Sequence, residues 1–598
     1  MGTDNQPLRT ALAGELRGTD AGRQVKLAGW VARRRDHGGV IFVDVRDASG
    51  LAQVVLNPED EPAPLEVLHG LRTEYCIAVS GTVRARPEGT VNPDLPSGEV
   101  EVVASHLDVL SPADPLPFQL DARVEVAEER RLQYRYLDLR TARMAANLRA
   151  RSTVIRAMRR VLDGAGFLEV ETPTLIASTP EGARDMLVPS RLRPGHFYAL
   201  PQSPQLFKQL LMIGGVERYY QVARCYRDED FRADRQLEFT QLDLEGSFWG
   251  QEDVLDTLEA IVSEVARDAR GVELERPFPR LTYAEAMARY GSDKPDLRFG
   301  MEITDLGEVF ATTEFKAFSG VLADGGVVRG INAGQLGLSR AGLDRLVSRA
   351  QELGAKGLVW LVMEDDGTLR SPVAKFLAEQ EQDAVREMLG AGPGDVLLLA
   401  GDTARLVSAV LGQLRLELGR PADHDDLSFL FVVDFPVFES DDDGNLAPAH
   451  HPFTQPVSVD EMRDSPRTAI SKAYDLVLNG SELGSGSVRI HDPAVQAQVF
   501  DVLGISPEDA QRRFGWFLEA LRYGTPPHAG FAIGVDRLVS ILQNEPNIRE
   551  VIPFPKTQTG GDPLTGSPSR VDDAQLTELG IDVRPLVRRT WAEDDGET

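Results

Sequence analysis

Gly530-Phe531-Ala532-Ile533-Gly534-Val535-Asp536-Arg537 is the stretch that decides what fold this chain can have. Its glycines permit close backbone approach, and an apolar run from Leu538 onward reads as the start of a helix. Arg537 then stands where a guanidinium can hold a distal phosphate. Yet the segment matches neither GxxxxGK[ST] nor a strand-linked GxGxxG, and neither pattern occurs elsewhere in the chain. Phosphate binding would need another architecture. Taken alone, a Gly-rich turn of this kind serves packing more often than catalysis.

Working outward, the next chemistry lies in Ala223-Arg224-Cys225-Tyr226-Arg227-Asp228-Glu229-Asp230, followed by Arg232, Arg235, Gln236 and Phe239. Arg227 offers a planar fork of donors suited to phosphate oxygens, and the acids beside it can orient it or an amine. Read alone, the segment is equally a solvated hairpin. From Asp475 to Arg489 the text is DLVLNGSELGSGSVR, taken here as a loop in which Asp475 and Glu482 could share a hard cation. Mg²⁺ keeps several waters and takes one or two carboxylates plus substrate phosphates, which suits two acids beside a nucleotide. Two acids in a loop are nevertheless more often simply solvated. Glu181-Gly182-Ala183-Arg184-Asp185, Gln202-Ser203-Pro204-Gln205-Leu206-Phe207-Lys208 and His450-His451-Pro452-Phe453-Thr454 place polar residues in apolar text, and each singly could be a cap or a satisfied core group.

Length and composition bound the rest. A chain of 598 residues is too long for one ordinary core. With 42% apolar and 26% charged residues it is neither disordered nor fibrous. No window offers about 18 uninterrupted apolar residues, and Met1 to Arg9 lacks the basic flank and apolar core of a signal peptide, so a cytoplasmic protein without membrane contact is expected. Two cysteines, Cys76 and Cys225, are too few and too separated for a disulfide framework or a structural zinc site. A net charge of -29 argues against whole-molecule attraction to nucleic acid, so any RNA contact must come from local basic patches.

The organisation follows from pattern. Five strand-like runs between Gln24 and Leu110, separated by turns such as Gly38-Gly39 and Ser49-Gly50, suit a small barrel of the oligonucleotide-binding type. The Pro-rich run from Ser111 to Pro117 marks a boundary. Apolar spacing then predicts a long helix over 142–162 leading into a strand over 167–170. Residues 290–424 read as Gly-rich and helical, without catalytic clusters. The expected fold is α+β and multidomain, with divisions at 1–110, 111–140 (linker), 141–289, 290–425 (insertion), 426–560 and 561–598 (polar extension).

Taken together these segments resemble the class II aminoacyl-tRNA synthetases through nearly the whole chain. The helix and strand ending at Pro173 look like that family's first signature motif, Tyr226-Arg227-Asp228-Glu229 with its loop like the second, and Gly530 to Arg537 like the third. The strings QSPQLFK, RCYRDEDFRADRQ, GSGSVRIH and GTPPHAG, in this order, resemble the bacterial aspartyl branch. The resemblance implies an N-terminal anticodon-binding barrel, an antiparallel catalytic sheet and an α/β insertion of the GAD type. It also implies a homodimer with the first motif at its interface.

For the site, the resemblance implies that Arg227 grips the α-phosphate of ATP, Arg537 the γ-phosphate, and Phe239 stacks on adenine. Asp228, Glu229, Gln236, Gly534, Val535 and Asp536 fall on nucleotide-site positions, and Asp475 and Glu482 on Mg²⁺ positions. Lys208 and Arg489 would neutralise the side-chain carboxylate of L-aspartate, and Arg227 lies at the same substrate. Ser203, Gln205, Asp243 and Glu181 match positions around the substrate ammonium, with His450 on a loop that closes over it. Such a pocket would leave both cations underpaired against asparagine, a mismatch worth about 10⁴ in discrimination. In the barrel, Arg33-Arg34-Arg35 supplies positive charge, and Phe42 and Gln53 match positions that stack on and read anticodon bases. Without the resemblance, Phe42 reads as barrel core. His37 stands where relatives restricted to tRNA(Asp) carry Leu, and Gly89 matches a second such position. Both imply charging of tRNA(Asn) as well as tRNA(Asp), the narrower alternative being tRNA(Asp) alone.

Overall fold

The computed structural model describes residues 7–121, 124–179, 183–440, 444–585 and 587. It divides into two compact units, Met1–Ala145 and Ala146–Thr598. In the first, strands Gln24–His37, Val40–Asp47, Gly50–Leu56, Cys76–Ala85 and Val100–Ser111 close into a barrel in the order first, second, third, fifth, fourth. Strict two-residue alternation decides which side chains fill it: Ile41, Val43 and Val45 are buried in the core, while Phe42, Asp44 and Arg46 point outward. Phe42 is therefore not barrel core, contrary to the reading of the strand in isolation.

The second unit is built on an eight-stranded sheet in the order Arg280–Thr282, Phe429–Val433, Ala473–Leu478, Ser481–Val488, His528–Gly534, Glu238–Ser247, Arg218–Tyr226 and Leu168–Glu169. Only the two outermost pairings are parallel. The five inner ones are antiparallel. One face carries Leu242, Leu244, Phe431, Leu476, Phe531 and Ile533 and packs on helices Ala142–Gly164, Gln251–Arg270 and Val535–Leu542 through Val154, Met158, Leu258, Ile261 and Leu538. The opposite face is thereby left to Asp243, Glu245, Asp475, Ser485, Ser487 and Gly530.

Two expectations need correction. Asp475 to Arg489 is not a loop but a hairpin, turning at Asn479-Gly480. The pairing skips one residue there, since Leu476 faces Gly484 but Val477 faces Glu482, leaving Leu483 as the extra residue of a bulge. Without that bulge, alternation from Ser485 would send Glu482 to the helix-covered face; with it, Glu482 shares the face of Asp475. Second, the stretch whose pattern alone reads as Gly-rich and helical contains its own five-stranded sheet, in keeping with the α/β insertion that the resemblance implies, ordered Thr304–Asp305, Val327–Asn332, Val396–Asp402, Val359–Met363 and Leu369–Arg370. Its central strands are short continuous apolar runs buried on both sides, which periodicity alone does not separate from helix.

Candidate active site

The centre of the open face is a buried cluster of charges. Lys208, from helix Gln205–Ile213, places Nζ 2.7 Å from Asp243 Oδ1 and 3.2 Å from Glu245 Oε2. Arg489 donates from Nε to Glu245 Oε1 at 2.9 Å and from Nη2 to Glu245 Oε2 at 3.1 Å. Its Nη1 donates to Ser487 Oγ and to His451 Nε2, each at 2.7 Å. Asp243 and Glu245 are neighbours because they are two apart on one strand. Gly530 faces Glu245 across the ladder, and a Cβ there would lie 1.8 Å from Glu245 Oε2, so only glycine leaves the carboxylate its place.

Electrostatics follow from burial and pairing. Burial alone would raise the Glu245 pKa, but Arg489 and Lys208 outweigh it and hold the carboxyl down to about 2. Burial of Asp243 dominates the pull of Lys208, so its pKa is raised. Burial, then the Arg489 charge, drive His451 well below the ordinary histidine value, so it is neutral and accepts from Arg489. Four of the five guanidinium N–H groups are thus engaged among the described residues, leaving one on Nη2, whose partner Glu245 Oε2 also meets Lys208. Gln205 Nε2 is buried without a hydrogen-bond partner, and Gln205 N donates to Ser203 Oγ at 3.3 Å.

Further charged contacts lie at the ends of these strands and in the segments that join them. The Arg227 guanidinium carbon sits 5.1 Å from the Phe239 ring centroid, and its Nε donates to the Gln202 carbonyl at 3.4 Å. Asp228 lies 3.7 Å from Arg184, and Glu229 pairs with Arg235 at 2.9 Å. Arg537 donates to the Glu482 carbonyl and pairs with Asp234 at 3.0 Å. His450 Nε2 is 3.2 Å from Asp475 Oδ1, with its ring edge-on to Phe435 at 4.7 Å. Burial raises the Asp475 pKa; the His450 contact opposes this and the Glu482 charge adds to it. Asp475 and Glu482, two hard carboxylates on one face of the hairpin, suit a divalent cation such as Mg²⁺.

Several residues at predicted nucleotide positions make contacts within the protein. Gln236 exchanges hydrogen bonds with the backbone of Lys556 at 2.9 and 3.1 Å. Asp536 is buried, accepting from Thr240 N at 2.7 Å and from Arg151, and Val535 lies in the core. Gly534 caps helix Val535–Leu542. Glu181 lies outside the described residues. Sequence reasoning assigned no role to Glu245, His451, Ser487 or His528. Two-residue spacing from Asp243 was the signal for Glu245, and spacing from Arg489 the one for Ser487.

In the barrel, Arg35 donates to Asp44 Oδ1 at 2.7 Å and Gln53 Oε1 at 3.2 Å, and Gln53 donates to Glu101 at 2.8 Å. His37 meets Phe42 edge-on, with ring centroids 5.9 Å apart. Gly89 is exposed, with φ of 80° and open space where a Cβ would be. These residues form one outward surface of aromatic rings and fixed polar groups, apart from Gly89, for which no contact to the others is seen.

Residues 127–558 match the family model described as tRNA synthetases class II (D, K and N). The chain belongs to this family. Within the synthetase, residues 25–110 match the OB-fold nucleic acid binding domain, in agreement with the closed barrel. The synthetase is 52% identical to the aspartate–tRNA(Asp/Asn) ligase of Thermobifida fusca over 97% of this chain and 99% of that one. It is 53% identical to the ligase of the same name from Moorella thermoacetica, over 95% and 96%. Its fold is also that of asparaginyl-tRNA synthetase from Pyrococcus horikoshii, with a TM-score of 0.58 at 21% identity, covering 92% of this chain and 98% of that one. No helix among the described residues is long and apolar enough to cross a membrane.

Proposed function

We propose that this synthetase joins L-aspartate to the 3′ end of tRNA(Asp) and tRNA(Asn) at the expense of ATP. The observation that carries the amino-acid assignment is the pair Lys208 and Arg489, both buried and both braced by Glu245. A carboxylate can accept from the remaining Arg489 N–H and is drawn by the two buried positive charges; an amide carries no charge to meet them and would bring its own donors against that N–H.

In this reading the α-carboxylate of aspartate attacks the α-phosphate of ATP, giving aspartyl-adenylate and pyrophosphate, and the terminal ribose hydroxyl of tRNA then attacks the adenylate carbonyl, taking the aspartyl group and releasing AMP. Arg227 grips the α-phosphate and Phe239, one face of which that guanidinium covers here, stacks on adenine. Arg537 receives the γ-phosphate. Asp475 and Glu482 hold Mg²⁺, which supplies neutralising charge to the phosphates. Asp243 and Gln205 border the substrate ammonium, and His450 moves with its loop. No protein nucleophile is required, so rate enhancement rests on positioning and on cations aimed at the reacting phosphate.

The wider tRNA choice rests on His37 and Gly89 and on the Asp/Asn naming of the relatives. A cytoplasmic homodimer accompanies it, the dimer supported by Leu168 and Leu175, both exposed in and just after the strand that ends the first motif. Charging of purified tRNA(Asp) and tRNA(Asn) transcripts with labelled aspartate, at one salt concentration, tests the proposal. Comparable charging of both is expected, with His37→Leu lowering charging of tRNA(Asn) by tenfold or more. Charging of tRNA(Asp) alone would restrict the specificity, and charging of neither would overturn the assignment.

A further inference from the structure

The hairpin carrying Asp475 and Glu482 turns on Asn479-Gly480, whose φ values are 51° and 76°. Two left-handed residues in a two-residue loop make the tight hairpin turn that Asn-Gly favours. The turn itself asks only for those dihedrals, which glycine supplies as well, so the Asn479 side chain needs another explanation.

That side chain is wholly buried. Its Oδ1 accepts from Ser428 N at 2.8 Å, its Nδ2 donates to the Asp426 carbonyl at 2.8 Å, and Nδ2 lies 3.2 Å from His424 Nδ1. The backbone joins in: Asn479 N donates to the Ser428 carbonyl at 3.1 Å, and the Asn479 carbonyl accepts from Arg420 Nη2 at 2.9 Å. Every one of these partners lies on 420–428, the segment by which the chain returns from the inserted five-stranded sheet to strand Phe429–Val433. The outgoing segment reaches the same turn. Asp296, fully buried, is forked by Arg298, and Arg420 Nε lies 3.5 Å from its Oδ2. A Cβ on Gly480 would sit 3.0 Å from the Asp296 Cβ. Both connections of the insertion therefore grip one end of the hairpin. Two residues beyond Gly480, the Glu482 carbonyl accepts from Arg537.

We propose that Asn479 is a positioning residue through which the insertion sets the geometry of the Asp475–Glu482 hairpin, and with it the affinity for Mg²⁺ and ATP. The inference rests on the reading of Asp475 and Glu482 as the Mg²⁺ ligands. Coupling of this kind is reciprocal, so Mg²⁺ with ATP must in turn steady the two connections.

Aspartate-dependent ATP–pyrophosphate exchange, run on the full-length protein with ATP, Mg²⁺ and aspartate each varied, together with calorimetric titration of ATP and Mg²⁺ into the protein without aspartate, in which the Kd should rise with the KM, tests it. Asn479→Gly keeps the left-handed turn and removes the side chain. The KM for ATP and the half-saturating Mg²⁺ concentration should each rise about tenfold, in the usual range for coupled sites. The aspartate KM should stay within about twofold, because among the described residues Lys208, Asp243, Glu245 and Arg489 take their partners away from the turn, and excess Mg²⁺ should restore the rate. Unchanged ATP and Mg²⁺ dependence, or an equal rise in the aspartate KM, would overturn the proposal. Arg420→Gln, made from the insertion's side, should split the constants the same way and decides the matter alone if Asn479→Gly does not fold. Glu482→Gln separates the two levels. If it leaves the Mg²⁺ dependence unchanged, the metal reading fails and the inference with it; if it shifts that dependence while Asn479→Gly and Arg420→Gln do not, only the coupling fails.

Discussion

Arg489 clasps Glu245 with two parallel hydrogen bonds, 2.9 and 3.1 Å long, and neither side chain reaches solvent. The bidentate geometry fixes the guanidinium plane and so decides where its free N–H points. Glu245→Gln retains the shape but leaves Arg489 and Lys208 with only Asp243 as an acidic partner. Breaking a buried pair from one side costs about 3 kcal/mol or more, because the surviving charge is stranded. Equilibrium unfolding in urea should show a loss of that size. The aspartate KM should rise at least tenfold while the ATP KM holds, and a variant with wild-type stability and aspartate KM would remove Glu245 from the design.

The neutral His451 makes stability depend on pH. Its native pKa is driven well below 6.5, by burial first and then by Arg489, so below about pH 6.5 the unfolded chain takes up a proton that the native state refuses. The stability it contributes is complete above about pH 6.5 and is lost as the pH falls beneath it, at up to about 1.4 kcal/mol per pH unit. His528 is shifted in the same direction by its burial, and His450 in the opposite one. His451→Gln keeps an acceptor for Arg489 and cannot titrate. Unfolding free energies measured between pH 7 and 5 should fall less steeply for the variant, and parallel curves would show that His451 is not the group responsible.

Asp234 occupies Arg537, the guanidinium assigned to the γ-phosphate, at 3.0 Å. ATP must compete with this carboxylate for the fork. Asp234 is half exposed, so the pair is worth no more than about 1 kcal/mol. Asp234→Asn should therefore lower the ATP KM by up to about fivefold in pyrophosphate exchange, an advantage that shrinks as salt rises. An increase in KM would instead make Asp234 a nucleotide ligand.

What the residues disclosed in advance depended on whether local pattern or tertiary context set the outcome. The barrel strands and the long helix were legible because each carries its own periodicity, whereas the Arg227 and Arg537 segments, each ambiguous alone, took their reading from the resemblance of the whole chain. Asp475 to Arg489 was misread because its glycines and acids suggested a loop, although Asn479-Gly480 between DLVL and SELG is a hairpin signal. The bulge that turns Glu482 toward Asp475 has no such signal; it is visible only in the pairing. His451 and His528 acquire meaning from Arg489 and Gln209, both distant in sequence. The nucleotide roles of Gln236, Val535 and Asp536 came from motif position, and their side chains turn toward Lys556, the core and Arg151.

Phe42 offers a test that separates packing from recognition. It lies on the outer face of the barrel, between the inward Ile41 and Val43, with His37 edge-on at 5.9 Å. A core phenylalanine cut back to alanine costs about 3 to 5 kcal/mol of stability. An outward one should cost less than about 1 kcal/mol, because little packed volume is removed. If its ring stacks on an anticodon base, the same truncation should weaken binding of an anticodon stem-loop by about 1 to 3 kcal/mol. Thermal unfolding and fluorescence anisotropy of Phe42→Ala, read side by side, should therefore show a nearly unmoved melting temperature and a Kd raised at least fivefold. The opposite pattern, a collapsed melting temperature with RNA binding of the folded fraction intact, would return Phe42 to the core and leave the barrel's RNA-facing surface to Arg35 and Gln53.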